Sequence, residues 1–120
     1  MEYPIFQDNA VVSVELPAHI EERLAALPYR HDAYFLTSDA TVCLNLGELV
    51  FSRAREKGIL NASTLMMDAF SGKGAKRAPI SVSATEGGGF VVIDGNSTAL
   101  NALFSRWTDI PAIIISETDR

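Results

Sequence analysis

The stretch Asp94-Gly95-Asn96-Ser97-Thr98 follows the apolar run Phe90 to Ile93 and opens an amphipathic segment. A strand that ends in a glycine turn and feeds a helix leaves backbone N–H groups without intrahelical acceptors, and the helix dipole adds partial positive charge there. That is the chemistry of an anion site. Gly95 would let a ligand approach the backbone, and the Asn96 amide with the Ser97 and Thr98 hydroxyls could donate to phosphate oxygens. The same residues also suit a plain turn, in which Asn96 or Ser97 caps the helix, Gly95 supplies a positive φ and Asp94 stabilises the bend. The local residues allow both.

A second group of residues bears on the choice. The chain carries a formal charge of −5, which argues against a general nucleic-acid coat, yet six of its ten basic residues fall between Arg53 and Arg77. Arg53, Arg55, Lys57, Lys73, Lys76 and Arg77 face only Glu56 and Asp68 in that segment, a positive island in an acidic protein. It is either a solvated basic surface or an anion-binding one. Other chemistries find less support. The single cysteine, Cys43, excludes an internal disulfide and a cysteine zinc cluster, and His19 and His31 are too few and too scattered for a metal site. No Ser/His/Asp arrangement is legible, and no structural metal is expected. Glu48 and Asp94 are the carboxylates nearest the motif segments, and so the candidates for holding magnesium or acting as a general base.

These residues need a scaffold. A length of 120 residues with 48% apolar and 21% charged side chains fits one soluble domain. No apolar stretch spans a bilayer and the N-terminal residues lack signal-peptide character, so a cytoplasmic protein is expected. Val11 to Leu16 reads as a strand, Pro17 opens a helix through Leu27 with Ile20, Leu24 and Leu27 on one face, and Pro28 ends it. Tyr34 to Leu36 and Thr41 to Leu46 read as further strands, which places Cys43 in a buried, unreactive setting. Asn61 is the expected N-cap of a helix burying Ala62, Leu65, Met66 and Ala69, with Gly72 as its stop. Ile80 to Ala84 and Phe90 to Asp94 form a hairpin around Gly87-Gly88-Gly89. A last helix buries Leu100, Leu103, Phe104 and Trp107, and Pro111 then precedes a core strand ending at Ser116. The fold class is α+β, a mixed β-sheet covered by helices.

From Val42 to Ser116 the chain resembles the ParB/sulfiredoxin superfamily, specifically the ParB N-terminal (ParB-like nuclease) domain. "LGELVFSRAR" is similar to its opening segment, "RAPISV" to its central strand, and "FVVIDGNSTALNAL…DIPAIII" to its glycine-turn helix and closing strand. The resemblance implies a single domain over 1–120, with a core at 42–116 and an N-terminal β-α-β extension over 1–41 packed on the sheet. It also implies a bacterial, phage or plasmid setting. Gly95, Asn96, Ser97 and Thr98 would face nucleotide phosphate, with Arg53 and Arg55 on the early loop and Lys76 and Arg77 just ahead of the central strand. ATP or CTP with magnesium would be the ligand. The activities implied are nucleotide or phosphate binding, or else magnesium-dependent nuclease or small-molecule kinase chemistry with Asp94 or Glu48. A module that kept the fold, lost the ligand and binds a partner protein is the other alternative.

The departures are specific. Thr98 stands where the family commonly has an arginine, and a hydroxyl does not replace a planar, permanently charged fork. Arg53 or Arg55 would have to supply that charge from across the cleft. Asn96 stands where a sulfiredoxin has its catalytic cysteine, which rules out sulfinic acid repair. Sequence-specific DNA binding by this chain alone is not expected, since no helix-turn-helix reader follows the matched segment. The first 40 residues are expected to cover a sheet edge.

Overall fold

Asp8 and Asn9 both adopt left-handed backbone, at φ 53° and 63°, as a two-residue hairpin turn requires and short polar side chains tolerate. They join β1 (Glu2–Gln7) to β2 (Ala10–Glu15) as an antiparallel pair. The computed structural model describes residues 1–115. The strand expected at Val11 is β2; β1 was hidden because Pro4 interrupts the β signal.

The helix expected from Pro17 to Leu27 is a correction: α1 is one turn, Ala18–Glu21. Local backbone bonds continue as far as the N–H of Leu24, and the main chain then bonds to distant side chains. The N–H of Ala25 donates to Ser63 Oγ at 2.9 Å and that of Leu27 to Ser105 Oγ at 3.0 Å, while Leu27 O accepts from Trp107 Nε1 at 3.0 Å. The apolar positions still serve, with Ile20 and Leu27 buried. Tyr34, expected in a strand, instead closes a second one-turn helix, α2 (His31–Tyr34), and is fully buried with its hydroxyl donating to Pro28 O. Only Phe35 keeps β character, as an isolated parallel bridge to Arg77. The expected N-terminal β-α-β extension is therefore a β-hairpin followed by two helical turns.

β3 (Val42–Asn45) leads through a 3-10 turn, Leu46–Glu48, into the short β4 (Leu49–Phe51). β3 is an edge strand, and Cys43 on it is exposed, which corrects the expectation of a buried cysteine. The next helix, α3 (Glu56–Phe70), starts well before Asn61, which lies inside it. Glu56 in its first turn suits the positive end of the dipole, and Gly72, at φ 77°, follows its end. Its buried stripe is Ile59, Ala62, Ser63, Met66 and Ala69; Leu65 falls outside the stripe and is exposed.

β5 (Ile80–Ala84) and β6 (Phe90–Asp94) form the antiparallel hairpin that the glycine triplet suggested. α4 (Asn96–Phe104) and β7 (Asp109–Ile114) follow. The expected end of that strand at Ser116 lies outside the described residues. Pro111 sits within β7, not ahead of it. Ile115 N donates to Val82 O, so by the two-residue step the missing N–H of Pro111 would point to Ala78, before β5 begins, and no ladder bond is lost.

The sheet is α+β in class and mixed, in the order β2-β1-β4-β6-β5-β7-β3, with parallel pairs β1/β4, β4/β6 and β5/β7. Its core runs from Tyr3 to Ala112 through Phe51, Met66, Leu100 and Ile110. Among the described residues no helix is long and apolar enough to cross a membrane.

Candidate functional site

Because β4 and β6 are parallel, with Leu49 opposite Phe90 and Phe51 opposite Val92, their carboxyl ends lie side by side. The segment Ser52 to Arg55 leaves one and Asp94-Gly95 leaves the other. β5 runs antiparallel to β6, so its start, just after Lys76 and Arg77, comes to the same end. α3 and α4 also begin there, after Arg55 and Gly95. Carboxyl ends of parallel strands and N-terminal ends of helices are where α/β folds hold ligands.

A groove of about 1330 Å³ occupies this end. Arg53, Arg55, Arg77 and the turn Gly95 to Thr98 all line it, joined by Arg23 and Lys57, against two carboxylates, Glu56 and Asp94. Lys76 lines an adjoining hollow of about 440 Å³ that shares Arg77, Asp94, Gly95 and Thr98 with the first. None of these basic side chains makes an ion pair among the described residues. The groove is thus positive on balance, five basic side chains against two carboxylates.

Arg77 is held from three directions. Its N–H donates to Tyr34 O at 2.7 Å, its carbonyl accepts from Leu36 N at 2.9 Å, and its Nε donates to Thr98 Oγ1 at 3.2 Å. A guanidinium therefore stands beside Thr98, and it comes from the segment before β5. Sequence reasoning looked for that charge in Arg53 or Arg55; Arg77 is the one in contact with Thr98.

The turn residues differ in what they leave free. Gly95 is left-handed, at φ 92°, and a methyl group built on it would meet Ile80 Cγ2 at 2.7 Å. The space of the missing side chain is thus filled by Ile80, not left open for a ligand, which corrects one reason expected for this glycine, while the other, a positive φ, holds. Asn96 is buried and caps nothing. Its Oδ1 accepts from Ser52 N at 3.0 Å and its Nδ2 donates to Ser52 Oγ at 3.0 Å, so it ties the exit of β4 to the start of α4. Thr98 is buried and its hydroxyl is engaged by Arg77. What the turn offers a ligand is the first-turn backbone N–H groups of α4, which have no acceptor within the helix, together with the half-buried Ser97 hydroxyl.

α3 and α4 start together and run in the same direction. A methyl group at Gly58 would lie 3.0 Å from Ser97 Oγ, and Asn101 Nδ2 donates to Ile59 O at 2.9 Å. Two helix N-termini accordingly open onto one groove. The helical glycine, which weakens a helix unless packing needs it, was the one sequence signal for this approach; nothing in the sequence pointed to Arg23 or Ser52.

The two candidate carboxylates separate. Asp94 ends β6, is exposed, and lines both hollows. Glu48 precedes β4, and its carbonyl packs against Gly89 before β6 starts. It sits at the opposite end of the strand pair from Gly95, away from the groove.

No protein-family model matches this chain, and no curated protein matches it.

Proposed function

We propose that this chain is a ParB/sulfiredoxin-like phosphate-binding domain that seats a nucleotide, or another small phosphate-bearing molecule, at the carboxyl ends of β4 and β6. The observation that carries the reading is the meeting of two helix N-termini with three unpaired arginines, Arg53, Arg55 and Arg77, on one groove. Each part favours an anion. A helix N-terminus contributes roughly 0.3–1 kcal/mol toward a nearby negative charge, and a hydrogen bond to a charged group contributes about 1.5–3 kcal/mol. Ribose and base would rest on the apolar stretch of the wall, where Leu60 and Leu65 line the groove. Magnesium arriving with nucleotide phosphates would meet Asp94; it keeps most of its waters and needs only one or two carboxylates besides the phosphates.

The test is a calorimetric titration with ATP, CTP, ADP and inorganic phosphate, with and without magnesium, on the wild type, on Arg77→Ala and on the double variant Arg53→Ala/Arg55→Ala. Saturable binding is expected in the wild type. Loss of one charge-assisted bond should weaken it roughly tenfold to a hundredfold. No heat from the wild type at millimolar ligand, or equal affinity in all three proteins, overturns the reading.

A further inference from the structure

At the opposite flank of the sheet, three residues far apart in sequence come into contact. Cys43 lies on the edge strand β3, His31 opens α2 and Asp109 opens β7. Cys43 Sγ is 3.7 Å from His31 Nδ1, and His31 Nε2 is 3.1 Å from both the carboxylate and the carbonyl oxygen of Asp109. Both of those oxygens only accept hydrogen bonds, so in the neutral ring Nε2 carries the proton and Nδ1 presents its lone pair to the thiol. The imidazole packs in a three-ring cluster with Tyr29 and Trp107, at centroid distances of 5.1 and 5.6 Å, and the Tyr29 hydroxyl donates to the Asp109 carboxylate. A nucleophile, a base and a group that orients the base stand in the order such chemistry needs. Because the ring turns opposite nitrogens to Cys43 and Asp109, the three do not converge on a point as metal ligands would, and among the described residues no metal-binding group occurs.

The sheet register adds a further feature. Cys43 lies opposite Pro111 and Asn45 opposite Asp109, while Leu46 N donates to Thr108 O. Bonded pairs alternate along an antiparallel ladder, so Cys43 occupies a non-bonded position and its own N–H points to the open edge. The thiol and a free backbone donor stand side by side in solvent.

We propose that Cys43, His31 and Asp109 form a nucleophilic thiol site that takes small disulfides, making Cys43 a site of reversible mixed-disulfide formation. The Cys43 sulfur attacks one sulfur of the disulfide while its proton passes to His31 Nδ1. The S–S bond breaks, and the departing sulfur leaves with the bonding pair and takes the proton back as a thiol. Cys43 ends in a mixed disulfide and one thiol is released. A small disulfide suits the site because Cys43 lines neither of the two hollows described above, so the reagent must need no enclosing pocket. With one cysteine in the chain, no internal thiol can resolve the product, and its reversal needs an external thiol. The thiol has its pKa raised, first by partial burial and then by the charge of Asp109. Ionisation without a partner is disfavoured there, and His31 supplies the base. Besides His31, Asp109 and Tyr29, the charged groups next to the site are Arg30 and Asp32, which pair with each other at 3.5 Å on the surface.

The experiment follows the release of 4-thiopyridone from 4,4′-dithiodipyridine by the full chain between pH 5 and 9, in the wild type, His31→Gln and Asp109→Asn, with Cys43→Ser as the blank. The wild-type rate should exceed that of His31→Gln at least tenfold at pH 7, and the gap should narrow toward pH 9 as direct ionisation of the thiol takes over. Asp109→Asn should fall between them. If His31→Gln does not fold, the rate of the wild type against that of Asp109→Asn decides the matter. With glutathione disulfide the wild type should gain one glutathionyl group by mass, removed by reductant. A wild-type rate within twofold of that of a folded variant at pH 7 overturns the proposal.

Discussion

Gly95 shows how one residue links fold and site. Its backbone is left-handed, a conformation that disfavours a side chain by roughly 1–2 kcal/mol, and a methyl group there would meet Ile80 Cγ2 at 2.7 Å. Crowding of that kind adds about 1–3 kcal/mol. Gly95→Ala should therefore lower the unfolding free energy by about 2–5 kcal/mol, visible as a lower urea midpoint at unchanged slope; an unchanged midpoint would show that the turn relaxes freely. Substituting this glycine consequently cannot separate binding from folding, whereas Arg53, Arg55 and Arg77 can be truncated with less risk. The glycine itself was legible in the sequence. So was its positive φ; the crowding by Ile80 was not, because Ile80 is its neighbour only across the β5/β6 hairpin. Asn96 carries the same lesson: it reads as a cap from its position, and its amide is instead consumed by Ser52.

Elements were legible where the signals that define them are local. The β5/β6 hairpin carries its glycine triplet, α3 its Gly72 stop, and α4 its glycine turn. α1 was misjudged because Ile20, Leu24 and Leu27 keep helical spacing while the N–H groups of Ala25 and Leu27 are claimed by Ser63 and Ser105, far away in the chain. Ser63→Ala removes the acceptor for Ala25 N–H. An unsatisfied, partly buried donor should lower stability by about 1 kcal/mol, the low end of the buried-donor cost, measured by thermal unfolding, and amide exchange should speed up at Ala25 in particular. Unchanged exchange there would mean that Ser63 does not hold this segment. The start of α3 was placed too late for a related reason. Arg55 makes no side-chain cap, so the sequence holds no capping signal at the true start.

At the scale of the whole molecule, a chain of formal charge −5 collects unpaired arginines from β4, from the approach to β5 and from the N-terminal part into one groove. Exposed charges lose reach as salt shortens the screening length from about 10 Å at 0.1 M to about 3 Å at 1 M. Affinity for the phosphate ligand should accordingly fall at least severalfold between 0.05 and 0.5 M sodium chloride in the titration above, and a salt-independent constant would point to apolar binding. The sequence by itself determined the α+β class, the clustering of basic residues, the strand-turn-helix at Gly95 and the hairpin before it, because each depends on residues within a few positions of one another. The tertiary structure alone decided that β4 and β6 end together, that Arg77 reaches Thr98, that Glu48 lies at the far end, and that Cys43, His31 and Asp109 touch. These depend on strand pairing and on contacts between segments far apart in the chain, which no local propensity encodes.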